Sequence, residues 1–155
     1  MIGSDRPVEA VDEAPVILRT GVPADPNNLP PSANTLYVAG LGLDRGGSQE
    51  GPGAAFYEVT VSGWGWAKDA DEPVIYTARY LLTPWRHRSR AGVSVETLVQ
   101  STTIHLGGVQ PKGGGDSERV LIVQLQPVSG ERELVVDVKR VGRRCLAPMI
   151  SLREA

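Results

Sequence analysis

A chain of 155 residues suits one domain, and its 41% hydrophobic and 22% charged residues lie near the globular average. A net charge of −2 gives no global attraction to nucleic acid or to an anionic membrane, and a single cysteine excludes an internal disulfide. No apolar run approaches the ~20 residues of a membrane-spanning helix, and Met1 to Ala14 lacks the basic and apolar blocks of a secretory signal, so a cytoplasmic location is expected.

Residues 1–34 read as an extended arm. They hold half of the 12 prolines (Pro7, Pro15, Pro23, Pro26, Pro30 and Pro31), and each proline removes a donor and fixes φ, which bars a long helix. One short strand, Val16 to Thr20, is expected within the arm. Thr35 to Leu43 reads as the next strand. The stretch from Gly40 to Gly47 is expected to be a loop after it, since its glycine spacing does not fit a dinucleotide-binding turn and no helix pattern follows.

A hairpin is expected from Ala55 to Ala67 and Val74 to Leu82, joined by the polar turn Lys68 to Pro73. In its first strand Tyr57, Val59 and Val61 alternate with Phe56, Glu58, Thr60 and Ser62, which assigns the former set to the core. The same alternation puts Trp64 and Trp66 on the other face. Two indoles there form a platform able to stack on a sugar, a base or a partner protein, unless another part of the chain covers them.

Trp85-Arg86-His87-Arg88-Ser89-Arg90 is the one dense basic cluster, and it reads as a loop between strands. Its arginines can meet the acids of a neighbouring subunit's arm, where Asp5, Glu9, Asp12, Glu13 and Asp25 are concentrated; contact with phosphate is the lesser expectation. Val93 to Leu106 reads as one strand, with a helical turn over Val95 to Gln100 as its alternative. Pro111 to Gly115 reads as a long loop. Its Lys112 lacks the Gly-Lys-Ser/Thr order that would cradle a phosphate.

The strongest local signal is Ser129-Gly130, flanked by Glu118 to Val128 and Glu131 to Val141, a pattern typical of a two-residue hairpin loop. That loop would set Leu125 against Leu134, Val123 against Val136 and Leu121 against Val138, with all six aliphatics on one face of a ribbon. Residues 142–155 then form a basic tail that includes Arg143, Arg144 and Arg153.

His87, His105 and Cys145 are too few, and too badly spaced, for a metal site or a nucleophile with an oriented base. No cofactor, no metal and no catalytic residue is expected. The pattern as a whole predicts an all-β fold, an antiparallel β-sandwich or jelly roll of about eight strands over residues 35–141 with an extended Pro-rich N-terminal arm. The expected function is that of a noncatalytic assembly protein, a phage capsid decoration or minor virion component. It would bridge copies of itself or a major capsid protein through Trp64, Trp66, Trp85, Arg86, Arg88 and Arg90. The alternative is a carbohydrate- or ligand-binding module that uses the tryptophan platform.

Overall fold

A computed structural model of the chain describes residues 8–9, 15–20, 28–29, 32–42, 51–52, 56–67, 69–87, 90–111, 118–141 and 149–154. Among these residues there is no helix, and the strands are β1 (Val8–Glu9), β2 (Val16–Thr20), β3 (Asn28–Leu29), β4 (Ala33–Gly42), β5 (Gly51–Pro52) and β6 (Phe56–Gly65). They continue with β7 (Val74–His87), β8 (Arg90–Gln100), β9 (Ile104–Pro111), β10 (Glu118–Leu125), β11 (Arg132–Val141) and β12 (Met149–Glu154).

The strands form two sheets. One is five-stranded in the order β1-β12-β4-β10-β9. The other is seven-stranded: β3-β2-β11-β6-β7 runs across it, β8 lies along the far side of β7, and β5 pairs with β7 beyond the end of β6. Pairing is antiparallel throughout except for the short β2–β3 contact. Leu36, Val38, Leu121, Val123, Ile150 and Leu152 from the first sheet join Val59, Val61, Ala78, Tyr80, Leu134 and Val136 from the second in one buried cluster. Burial of this kind is the main favourable term in folding, at about 25 cal/mol per Å² of apolar surface.

The β6–β7 hairpin stands where alternation predicts it, with Tyr57, Val59 and Val61 fully buried and Gly65 opposite Val74. The hairpin expected around Ser129-Gly130 does not form. β10 pairs with β4 and β9 in one sheet, and β11 pairs with β2 and β6 in the other, so residues 126–131 arch across the core. All six aliphatics still point inward. Alternation identifies the greasy side of each strand, but two such sides can lie side by side on a ribbon or face each other through a core, and here they face each other.

Val93 to Leu106 is likewise two strands in different sheets. The break falls at Ser101-Thr102-Thr103, where β8 leaves β7 and hydroxyls take over the bonding. Thr77 N–H donates to Ser101 Oγ at 3.2 Å, and Thr103 Oγ1 donates to the Ile75 carbonyl at 2.5 Å. No helical turn forms over Val95 to Gln100. Gly40 to Gly42 belongs to β4, in keeping with the strand expected at Thr35 to Leu43 and not with a loop beginning at Gly40, and there Ala39 and Gly40 together oppose Val120. Gly40 has φ +81°, a left-handed value suited to the extra residue of such a bulge.

Both the expected arm and the expected tail contribute strands to the sheets. The strand expected at Val16 to Thr20 is present, and it pairs with β11 of its own chain, burying Val16 and Leu18. That packing ties this part of the arm to its own domain. Met149–Glu154, placed by the sequence in a basic tail, is instead β12, an inner strand between β1 and β4 with Ile150 and Leu152 in the core. The alternation of Ile150 and Leu152 with Ser151 and Arg153 is the reason. Gly46-Gly47, Lys112 to Gly115, Arg143, Arg144 and Cys145 lie outside the described residues.

Candidate interaction surface

The outer face of the seven-stranded sheet carries the residues singled out by alternation. In one cross-strand row Arg19, Glu133, Trp64 and Ile75 stand side by side on β2, β11, β6 and β7. In the next row Ile17 stands opposite Val135, which is diagonal to Trp64 and within side-chain reach of it. Ile17 and Ile75 are 53% and 52% exposed, and Trp64 and Val135 are half-buried, so the four form a continuous apolar strip on a solvent-facing sheet.

Polar pairs border the strip. Arg19 Nε donates to Glu133 Oε1 at 2.9 Å, and Arg79 pairs with Glu58 further along the sheet. Both pairs are largely solvated, where an ion pair contributes little to stability. Their effect is to fix side-chain positions at the margin of the apolar strip.

Trp66 follows Trp64 just past the end of β6. Its N–H donates to the Glu131 carbonyl at 2.9 Å, and its own carbonyl accepts from Gly130 N–H at 2.8 Å, so the ladder continues for one more step and keeps Trp66 on the outer face. Both indoles are half-buried. Trp85 also faces outward, but it sits ten residues along β7 from Ile75, roughly 30 Å at about 3.3 Å per residue. Its indole lies on Gly92 of β8, where an added Cβ would come within 2.5 Å of the ring. The tryptophans therefore fall into two groups at opposite ends of one face.

Most of the basic cluster expected to be a loop between strands is strand: Trp85 to His87 end β7 and Arg90 begins β8, with His87 opposite Arg90 in one hairpin. Arg86, His87 and Arg90 are described through their backbone alone, and Arg88 lies outside the described residues. His105 is exposed on the outer face of the other sheet, across from Gln124. Among the described residues no group of three or more His, Cys, Asp or Glu side chains is placed to hold a metal ion.

Sequence reasoning passed over Arg132. Its parity matches Leu134, Val136 and Val138, so it points inward and is 1% exposed. There it closes the arch between the sheets: Nη1 donates to the Ala33 carbonyl at 2.6 Å, Nη2 to Asn34 Oδ1 at 2.8 Å and to the Gln126 carbonyl at 3.1 Å, and Nε to the Tyr76 hydroxyl at 3.2 Å. The Tyr76 hydroxyl in turn donates to the Gln126 carbonyl at 2.6 Å. Burial pushes the Tyr76 hydroxyl up from its ordinary pKa, offset in part by the charge and hydrogen bond of Arg132.

Burial alone pushes the Tyr80 phenol up to about 12, with Gln100 Oε1 accepting its proton at 2.8 Å. The folded chain keeps this proton after the unfolded chain has released it near pH 10. The associated stability is present below pH 10 and is lost as pH rises toward 12, at no more than about 1.4 kcal/mol per pH unit. A Tyr80→Phe chain is expected to lose stability less steeply over that window in urea titrations; an unchanged slope would rule Tyr80 out as the cause.

No protein-family model matches the chain, and no curated protein or solved structure matches it either. What the described residues define is a class: an all-β domain of two sheets around one core, with an apolar strip on one outer face.

Proposed function

We propose that the chain is a noncatalytic structural subunit, a β-sandwich or jelly roll that docks against protein neighbours through the face around Trp64. The observation that supports this reading is the strip of Ile17, Val135, Trp64 and Ile75, because large apolar side chains grouped on an exposed sheet face are characteristic of protein contact sites. A half-buried tryptophan at its centre, rimmed by Arg19 and Glu133, is the arrangement from which interface hot spots are built. A decoration or minor protein of a phage-like virion is the setting that suits such a subunit; what speaks for it is architecture alone, a two-sheet domain with an apolar outer face for neighbours.

Light scattering on the separated chain over a wide concentration range tests the reading. Association is expected, and Trp64→Ala should weaken it about 30-fold while leaving the circular dichroism spectrum intact. Association that is indifferent to Trp64→Ala would remove this face from the interface. A saturable change in tryptophan fluorescence on adding glycans, lost in Trp64→Ala, would replace the protein-docking reading with a carbohydrate-binding one.

A further inference from the structure

We propose that a second copy of this chain pairs antiparallel along the edge strand β8, about a twofold axis at Val95, which joins the two seven-stranded sheets into one. This contact is separate from the face around Trp64 and does not depend on it.

The two sides of the domain are finished differently. On one side the sheets end in β1 and β3, of two residues each, lying against β12 and β2, of six and five residues, so the longest edge there is short. On the other side they end in β9, of eight residues, and β8, of 11. Among the described residues β8 pairs with β7 alone, so the backbone groups of its other edge face outward. It contains no proline, its charges are Arg90 and Glu96 alone, and its bulge falls late, at Leu98.

The core is also unfinished on that side. Five hydrophobics pack against it while remaining only partly buried, and four of them, Val93, Val95, Leu106 and Val109, belong to β8 and β9. A strand laid against β8 would complete the burial of Val93 and Val95.

Register admits a second copy as the occupant. A twofold axis perpendicular to the sheet keeps inner faces inner, so directly opposed residues must share parity. Centring on Val95 pairs it with the partner's Val95, sets Val93 against the partner's Thr97, and places Ser94 opposite the partner's Glu96, where hydroxyl meets carboxylate. The overlap runs from Gly92 to Leu98, up to the bulge. Centring on Glu96 would oppose two carboxylates, and centring on Ser94 would leave Glu96 facing the partner's Gly92, which carries no side-chain donor; centring on Val93 would set Glu96 against the partner's Arg90 and take Ser94 away from the partner's carboxylate, so the response to Ser94 substitutions separates that register from the one at Val95.

Ser94 and Glu96 are both exposed, so their charges can be changed with little effect on the fold. In light scattering on the full chain, the mass is expected to rise with concentration from the 16.6 kDa of one copy to that of two. Ser94→Glu should weaken the dimer about tenfold by setting like charges opposite each other twice, and Ser94→Lys should tighten it by a similar factor. Combining Ser94→Glu with Glu96→Lys should restore it. The series is run in the Trp64→Ala chain as well, so that loss of one contact is not read as loss of the other. A single-copy mass at every concentration overturns the proposal, and so does a dimer indifferent to all three changes or one that only a strand from another protein can form.

Discussion

Arg132→Ala is expected to cost about 4 kcal/mol of folding stability. The guanidinium bonds four oxygens, on Ala33 at the start of β4, on Asn34, on Gln126 in the arch and on Tyr76 in β7. It thereby ties both sheets to the segment that crosses between them. Truncation removes the guanidinium donor from the buried Ala33 carbonyl, while the Gln126 carbonyl keeps the Tyr76 hydroxyl. Hydrogen bonds from a charged donor contribute about 1.5 to 3 kcal/mol each, and the desolvation of the arginine offsets part of their sum.

Lysine should not rescue the site, because a single ammonium cannot reach acceptors that a planar fork meets in several directions. Arg132→Met fills most of the volume without donating, and it should fall between wild type and Arg132→Ala. Urea denaturation followed by circular dichroism orders the three. In folded Arg132→Met the Tyr76 hydroxyl should also titrate higher than in the wild type, since the group that holds it down is gone. A loss below about 1 kcal/mol in Arg132→Ala would mean that the clamp is incidental to the fold.

The reason Arg132 escaped sequence reasoning is that a charged residue at a strand start normally faces solvent, and its parity with Leu134 was the only contrary signal. Parity succeeded wherever the question was which side chains point inward. Tyr57, Val59 and Val61, and the six aliphatics of β10 and β11, are all buried. It placed β6 beside β7 correctly but failed on the neighbours of β10 and β11 and on the split of residues 93–106 between two sheets. Ser129-Gly130 has the composition of a hairpin turn, yet Gly130 N–H donates to the Trp66 carbonyl, so the pair serves the end of β6 and not a β10–β11 ribbon. The hydroxyls of Ser101 and Thr103 mark a second change of sheet, and they are inconspicuous inside a run of strand-forming residues. Trp64 was legible as an outward residue for the same reason that its strip was not: Ile17, Val135 and Ile75 come from three other strands, and only the register brings them together.

Gly63→Ala is expected to cost about 3 kcal/mol, because a methyl group there has nowhere to go. Gly63 stands opposite Leu134 in the β6–β11 ladder, and a Cβ built on it would overlap the carbonyl oxygen of Glu133 and come within 3.0 Å of the Leu134 Cα. These are backbone atoms in the middle of a sheet, so relief requires the two strands to part. Gly65 offers the control on the same strand. An added Cβ there meets the methyls of Val128 at 3.1 Å and the Tyr76 ring at 3.4 Å, side-chain atoms that can give way, and Gly65→Ala should cost only about 1 kcal/mol. The difference reaches the surface, since Glu133 and Trp64 are the next opposed pair along the ladder. Parting β6 from β11 at Gly63 should therefore shift Trp64 emission toward the exposed limit in the folded protein, while Gly65→Ala leaves it in place. Equal losses from the two substitutions would show that packing space, and not the close backbone approach, is what both glycines supply.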